Sequence, residues 1–529
     1  MDEQLSTEQL LLLNNLMYMT DTKPLRNIAD TKATTVAKFI NNINVEALEV
    51  SKDYGSLITG EEWKNIIQAV KNDEQLMNMQ IAEVHVDSVK DGGGGGVSAV
   101  FVDPSTNEAV VTFRGTALKE WHDNFVGGGL TKANDKVSTP FQQNALDWYQ
   151  SLDLEKYDTV TVTGHSKGGN KAKYITLLDD SVDRCVSFDG QGFSDAFMMK
   201  YMAEISANQD KITNHNVEGD YVNPLLNDVG KTTFYKGYDI GEGGFLENHC
   251  PNTFFKFGEN GSFELVEGTR DENMAVLDEF LNCYLRSMSA EDRQESLDMI
   301  GELAQGGFNG AGINEYLDIM LKSDNVDHAA YFLAYTVEYQ QENPELIGAL
   351  NDVLAKNGGE PLINLVNGVV DFVNSEDFDD MFETVGFAAD LLPEFAYGIA
   401  GDKLEDELGI DLSGKELKKL FGMIGTASDE MENIEIKDNG VDITIPSELP
   451  EITFNDELRI RPGLRLNPSF QGKPKFRFEP ESLLGTDEPL ILDDPIILDE
   501  PQLRLFPDEI DAFEPETKRA KLGRDFERC

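Results

Sequence analysis

The chain has few basic residues for its length of 529 residues, and this scarcity argues against nucleic acid as its partner. Its 44 lysines and arginines stand against 97 aspartates and glutamates, which gives a formal net charge of −53. Nucleic acids and anionic membrane surfaces repel a chain of this charge as a whole. We therefore expect no nucleic-acid-binding function.

Cysteine and histidine are also scarce, and neither shows a metal-binding spacing. The four cysteines are Cys185, Cys250, Cys283 and Cys529. They contain no C-x-x-C pair, which argues against a zinc ribbon and against a disulfide framework. The six histidines form no H-E-x-x-H or H-x-H pattern. We expect no metal and no organic cofactor.

Long apolar runs and a secretory signal are absent as well. No stretch reaches 18 apolar residues, so we expect no transmembrane segment. The amino terminus opens with acidic residues rather than with the Lys or Arg of a signal peptide. The expected location is cytoplasmic, or secreted by a route that needs no signal peptide.

What the chain does contain is typical of a globular protein. Hydrophobic residues make up 40% and charged residues 27%, and the length predicts two to four structural units. From about 80 to 265, apolar alternation and helical periodicity take turns, which predicts a doubly wound α/β sheet with flanking helices. The predicted strands are 81–86, 97–102, 109–113, 159–164, 184–188 and 213–219. The predicted helices are 61–79, 138–151 and 195–206, after an amino-terminal helix that Ser6 caps.

The remainder of the chain differs in pattern. Residues 268–435 carry apolar residues at helical spacing, which predicts a mainly helical region. From Leu449, proline recurs every six residues with alternating apolar positions, which favours extended chain. This tail either lies against a protein partner as an edge strand or forms a disordered acidic stalk. The predicted domains are 1–265, 266–440 and 441–529.

One motif indicates a catalytic function. "TVTVTGHSKGGNKA" contains G-x-S-x-G between a run of alternating β-branched residues and a helical segment. This strand, turn and helix context predicts a nucleophile elbow, with Ser166 as the nucleophile. The alternative is a strand that turns into a helix capped by Ser166. The residues around Ser166 favour the nucleophile elbow over this alternative.

A serine hydrolase of this fold orders its triad as serine, acid and histidine along the chain. Of the later histidines, His249 lies in a loop, where a catalytic imidazole is expected, whereas His215 and His328 lie in a predicted strand and helix. Asp220 and Asp189 each follow a strand, and Asp220 is the first choice for the acid. His249 then takes the proton of Ser166, and the carboxylate holds the imidazole.

Two backbone positions suit an oxyanion hole. The N–H of Lys167 opens the helix after the elbow and points at the position of a developing oxyanion. A second donor must come from an earlier strand end. The segment "VVTFRGT" ends a strand in a glycine turn followed by Thr116.

Several motifs together resemble the lipase class 3 branch of the α/β-hydrolases. They are "VTFRGT", "TGHSKGGNKA", "SFDGQGF", "GDYVNPLL" and a late loop histidine, spread over residues 1–265. They are more closely similar to a bacterial lipase-like family whose members also begin with an acidic helical segment. The resemblance implies Ser166, Asp220 and His249 as the triad, and Thr116 with the Lys167 amide as the oxyanion hole. Lys167 stands where better-known lipases often have Leu.

Three functions follow from this pattern. The leading one is a serine esterase or lipase that cleaves carboxylic esters, with lipid acyl esters as the substrate class implied by the resemblance. A narrower version is an exported antibacterial lipase toxin, in which the helical region serves targeting. The third is a non-catalytic hydrolase-fold scaffold that binds a partner through its tail.

Overall fold

The computed structural model describes two parts of the chain. The first runs from residue 4 to 355, except for 56–57, 88–94, 117–136, 221, 224–225, 238–248, 289, 309–311 and 323. The second consists of four short strands between 452 and 478. Among these residues, no helix has both the length and the apolar character needed to cross a membrane.

A seven-stranded mixed sheet forms the centre of the first part. Its strands are β1 (Gln80–Val86), β2 (Val97–Asp103), β3 (Glu108–Phe113), β4 (Thr159–His165), β5 (Arg184–Phe188), β6 (Ile212–Val217) and β7 (Lys231–Tyr235). The first three pair antiparallel, and β3 to β7 run parallel. The predicted α/β sheet with flanking helices is confirmed.

The doubly wound order was wrong. The strands lie in the sheet in chain order, from β1 to β7, without the reversal that defines a doubly wound sheet. Strand periodicity indicates where a strand is, whereas winding depends on which neighbour it pairs with. That choice is made by long-range contacts.

The alternation in β4 assigns its residues to the two faces of the sheet, because successive side chains of a strand point to opposite sides. Val160 and Val162 join one apolar core. Thr161 and Thr163 point the other way, where their hydroxyls donate to Glu108 Oε1 (2.6 Å) and to the carbonyl of Val186 (2.7 Å). The repeated Thr-Val pairs therefore encode a strand buried on both faces.

We call one side the N-terminal face, because helices that precede all strands cover it. These are α1 (Thr7–Met17), α2 (Val36–Asn41), α3 (Gly60–Asn72) and α4 (Glu74–Asn78). Ser6 and Gln9 form the predicted capping box of α1. The predicted helix 61–79 is divided because Asp73 is extended (φ −98°, ψ 106°) and caps α4 through the N–H of Leu76.

The other side, the crossover face, is covered by helices that connect the parallel strands. These are α5 (Pro140–Ser151), α6 (Lys167–Leu178), α7 (Asp195–Lys200) and α8 (Met202–Asn208). The predicted helix 195–206 is broken at Tyr201, whose backbone leaves the helical region (φ −106°, ψ 28°). The two faces carry separate apolar cores.

Up to residue 355, the described residues after the sheet form five helices: α9 (Glu272–Arg286), α10 (Ala290–Phe308), α11 (Ile313–Met320), α12 (Val326–Glu342) and α13 (Glu345–Ala355). Aromatic rings from α9 and α12 form their core, as the apolar spacing predicted. Arg286 joins this region to α7 by a bidentate contact with Asp195, at 3.0 and 3.2 Å. Residues 356–435 of the predicted helical region lie outside the described residues, and the domain boundaries stay predictions.

The remaining strands are short. A pair, β8 (Lys256–Phe257) and β9 (Phe263–Glu264), follows the sheet. In the proline-period tail, β10 (Ile452–Phe454) pairs with β11 (Leu458–Ile460), and β12 (Leu466–Ser469) pairs with β13 (Lys475–Phe478), both antiparallel. These four segments agree with the predicted extended chain. The rest of the tail lies outside the described residues.

Candidate active site

Ser166 lies at the junction of β4 and α6, with a backbone conformation that serine rarely adopts. Its φ is 60° and its ψ is −128°, and it is 7% exposed. A positive φ in a non-glycine residue is strained and persists only where the surroundings impose it. The sharp strand-to-helix turn is that of a nucleophile elbow.

Two glycines permit this turn. A Cβ on Gly164 would collide with the carbonyl of Gly168, and a Cβ on Gly168 would collide with the carbonyl of Phe113. Phe113 is the register partner of Gly164 in the neighbouring strand β3. The G-x-S-x-G spacing therefore reflects close approach of strand, helix and neighbouring strand.

Ser166, His249 and Asp220 form a continuous chain of hydrogen bonds. His249 Nε2 lies 2.7 Å from Ser166 Oγ, and His249 Nδ1 lies 2.5 Å from Asp220 Oδ2. An ionised carboxylate only accepts, so Nδ1 carries the proton and Nε2 accepts from the serine hydroxyl. His249 is 5% and Asp220 1% exposed, so little solvent screens the interaction.

The other oxygen of Asp220 holds the carboxylate in place. Oδ1 accepts from the backbone N–H groups of Val222 and Asn223, both at 2.8 Å. This local turn orients Oδ2 towards His249. Both oxygens of Asp220 are therefore engaged.

Asp189, the second choice for the acid, hydrogen-bonds to residues on either side of Asp220 in sequence. Its Oδ1 accepts from the N–H of Val217 (2.7 Å) and from Nδ2 of Asn223 (3.1 Å), and Oδ2 has no hydrogen-bond partner among the described residues. Burial and the nearby charge of Asp220 raise the pKa of Asp189 well above its usual value. Asp189 contacts the loop that holds Asp220, and not His249.

Helices of the N-terminal face hold the segment after His249. Nδ2 of Asn15 in α1 donates to the carbonyl of Pro251 (3.1 Å). Asn252 donates to Glu62 Oε1 in α3 (2.8 Å). The position of the imidazole thus depends on residues about 190 to 240 positions earlier in the chain.

Tyr18 and His165 were missed by sequence reasoning. The Tyr18 hydroxyl lies 2.6 Å from His165 Nδ1 and accepts from the N–H of Gly115 (3.1 Å). This hydroxyl therefore joins the ring of His165 to the turn after β3. Burial and the neighbouring His249 lower the pKa of His165 well below its usual value. No sequence pattern relates residues 147 positions apart.

The two oxyanion-hole candidates lie on either side of Ser166. Lys167 is the first residue of α6, and its side chain is buried. Thr116 follows Gly115, and a Cβ on Gly115 would lie 3.1 Å from Ser166 Cβ. The N–H of Gly115 is used by Tyr18, so in this segment Thr116 is the next donor along the chain.

The other late histidines are engaged elsewhere. His215 Nδ1 lies 2.9 Å from the hydroxyl of Tyr235, and His328 Nε2 lies 2.8 Å from Glu295 Oε2. In the described part of the chain, no three His, Cys, Asp or Glu side chains gather as metal ligands would.

A model of the Mbeg1-like family matches residues 70–302. This range contains Ser166, Asp220 and His249, whereas Tyr18 and Asn15 precede it. No curated protein matches the chain.

Several solved lipase structures match part of the chain at low sequence identity. The Lip2 lipase from Yarrowia lipolytica is 15% identical, with a TM-score of 0.28, over 50% of this chain and 84% of that one. A triacylglycerol lipase from Penicillium expansum is 15% identical (TM-score 0.22; 39% and 82% covered). A Rhizomucor miehei lipase in complex with its propeptide is 12% identical (TM-score 0.25; 47% and 79% covered). Likeness at this level concerns the fold and not the reaction.

Proposed function

We propose that the chain is a serine hydrolase of carboxylic esters, with lipid acyl esters as its substrate class. The observation that supports the reaction is the hydrogen-bond chain from Ser166 Oγ through His249 to Asp220. Sequence resemblance to class 3 lipases supports the lipid part.

In the proposed reaction, Ser166 Oγ attacks the ester carbonyl carbon while His249 Nε2 takes the serine proton. The carbonyl oxygen becomes an oxyanion, which accepts hydrogen bonds from the backbone N–H of Lys167 and from Thr116. His249 then donates the proton to the departing alkoxide, and an acyl-enzyme remains. A water molecule, deprotonated by His249, then attacks the acyl carbon; the bond to Ser166 Oγ breaks, the acid leaves, and His249 returns the proton to Ser166. Asp220 keeps the imidazole tautomer and stabilises its charged form.

Labelling with a fluorophosphonate probe tests the nucleophile. We expect folded wild-type protein to be labelled at Ser166, and Ser166→Ala to show no label. The matched control is Ser181→Ala, which removes an exposed hydroxyl and should be labelled like the wild type. Labelling at another residue, or none in folded wild type, contradicts the proposal and leaves the non-catalytic scaffold.

Hydrolysis of short- and long-chain acyl esters tests the substrate class. We expect Ser166→Ala to lower kcat/KM roughly a millionfold, because the nucleophile is lost. Faster turnover of long acyl chains supports lipid esters, whereas turnover of short chains alone assigns a soluble esterase. Equal rates for wild type and Ser166→Ala contradict both.

A further inference from the structure

A second concave site lies in the N-terminal segment, apart from Ser166. A cavity of about 890 Å³ opens between α2 and the chain before and after it, with lining residues from 23 to 47. None of Ser166, Asp220 and His249 lines it. Its volume is that of a small-molecule site. It also lies outside the residues that the family model matches.

The lining of this cavity is basic, unlike the chain as a whole. Four cationic side chains line it and no carboxylate does: Lys23, Arg26, Lys32 and Lys38. In the whole chain, acidic residues outnumber lysine and arginine by 97 to 44. Positive charge is therefore concentrated where the surrounding protein is negative, and this local field attracts small anions.

These cations are not neutralised by protein carboxylates. Among the residues that the structure describes, none of the four forms an ion pair, and Lys38 Nζ donates to the hydroxyl of Thr34 (3.1 Å). By contrast, the buried Lys173 lies 2.6 Å from Asp228. The basic cavity therefore keeps charge available for a ligand.

Two acidic residues close to the lining segment in sequence, Asp21 and Asp30, interact with each other. Asp21 and Asp30 share a side-chain hydrogen bond, which raises the pKa of Asp30, while the charge of Arg26 lowers it. Neither of the two lines the cavity.

The frame of the cavity is fixed to the sheet. Its floor contains buried apolar side chains of the N-terminal core: Leu25, Phe39 and Ile43. The N–H of Val36 donates to the carbonyl of Met79 (3.0 Å), and the N–H of Ile81 donates to that of Thr34 (3.1 Å). A preformed frame lowers the entropic cost of binding.

We propose that this basic cavity binds a phosphate-bearing ligand. The amides of Asn41, Asn42 and Asn44 add hydrogen-bond donors to the four cations, and a compact, multiply charged anion uses several such donors at once. The phosphate is either that of a soluble phosphomonoester or that of a phospholipid head group. The site does not depend on the proposed hydrolase.

Titration calorimetry with inorganic phosphate and with glycerol 3-phosphate, at constant ionic strength with chloride, tests the soluble source. Flotation with phosphatidylcholine vesicles, with and without phosphatidylglycerol, tests the head-group source. We expect saturable binding to at least one of these probes. Binding to phosphatidylglycerol vesicles alone assigns a lipid ligand, and binding to the soluble probes assigns a phosphomonoester.

The deciding variant combines Lys23→Gln, Arg26→Gln and Lys32→Gln, which are exposed and leave the apolar floor intact. We expect affinity to fall at least about tenfold, because several charge-assisted hydrogen bonds are lost. A control with Lys156→Gln, Lys231→Gln and Lys236→Gln changes net charge equally at exposed positions outside the cavity and should bind like the wild type. Equal affinity of the two triple variants, or no saturable binding in any assay, overturns the proposal.

Discussion

The crossover face of the sheet is covered by helices that lie between the strands in sequence, whereas the N-terminal face is covered by helices that precede every strand. The crossover side contributes the elbow, since α6 begins directly after Ser166. The N-terminal side contributes Tyr18, Asn15 and Glu62, which hold the turn after β3 and the segment after His249. The candidate site therefore combines a local motif, the elbow on the crossover side, with long-range contacts from the N-terminal side.

The largest expected effect is on the rate of hydrolysis, and it distinguishes Asp220 from Asp189, the two carboxyls at the strand ends. Asp220→Asn should lower kcat roughly ten-thousandfold, because an amide does not hold the required imidazole tautomer. Asp189→Asn should retain activity within about threefold, since a neutral amide resembles the protonated acid in size and charge. Steady-state ester hydrolysis measures both. Equal losses would show that Asp189 acts in the reaction.

The pH dependence of stability should be affected more by replacing Asp189 than by replacing Asp220, the reverse of the expected effect on activity. Because the pKa of Asp189 is raised, the folded protein keeps this proton above the pH at which the unfolded chain releases it. Ionisation therefore costs stability as pH rises above the usual aspartate range. Asp189→Asn should remove that fall in urea unfolding experiments, whereas Asp220→Asn should only reduce it, because burial is the larger cause of the raised pKa and the charge of Asp220 the smaller.

Acid should lower the free energy of unfolding through His215, which packs on the N-terminal face. Burial and the charge of Arg184 lower the pKa of His215 to about 4, and its ring contacts Phe188 and Tyr235 on that face. The unfolded chain binds a proton below about pH 6.5. The contribution of His215 to stability is thus fully present above that pH and falls by about 3 kcal/mol towards pH 4. Unfolding free energies across this window measure the loss, and His215→Gln should reduce its slope.

Tyr18→Phe tests whether the N-terminal face positions the site as well as covering the sheet. Removing the hydroxyl leaves the N–H of Gly115 and Nδ1 of His165 without this partner, which should cost about 1–3 kcal/mol. We expect kcat to fall roughly tenfold with KM little changed, because the turn before Thr116 shifts.

Its control is Tyr54→Phe. The Tyr54 hydroxyl is on the same face and accepts from the N–H of Glu49 (2.8 Å), away from Ser166. Its loss should lower stability and leave kcat unchanged. Equal kcat for the two variants would limit Tyr18 to a structural role.

The smallest expected effect measures strain at the elbow. Ser166→Gly and Ser166→Ala both remove the hydroxyl, but only glycine adopts the positive φ without strain. The glycine variant should be more stable than the alanine variant by about 1 kcal/mol. Denaturant midpoints compare the two directly, and an alanine variant of equal or higher stability would argue against strain.

Much of the crossover side was predictable from sequence, because its signals are local. Alternating β-branched residues predicted β4, and the glycines around Ser166 predicted the elbow from neighbours within four positions. Loop placement favoured His249 over His215 and His328, and the structure brings His249 to Ser166. Asp220 and Asp189 both follow strands, and their sequence contexts alone left the choice open.

The sequence by itself determined six of the seven strands of the sheet, where the turn at Ser166 occurs and that the chain is strongly acidic, but it did not reveal β7. Each of these depends on periodicity, glycine spacing or composition, which act over a few residues or over the whole chain. Tertiary structure alone decided the strand order, the contact of Asp220 rather than Asp189 with His249 and the role of Tyr18. These depend on contacts between residues far apart in the chain, which are made only when the helices pack on the sheet.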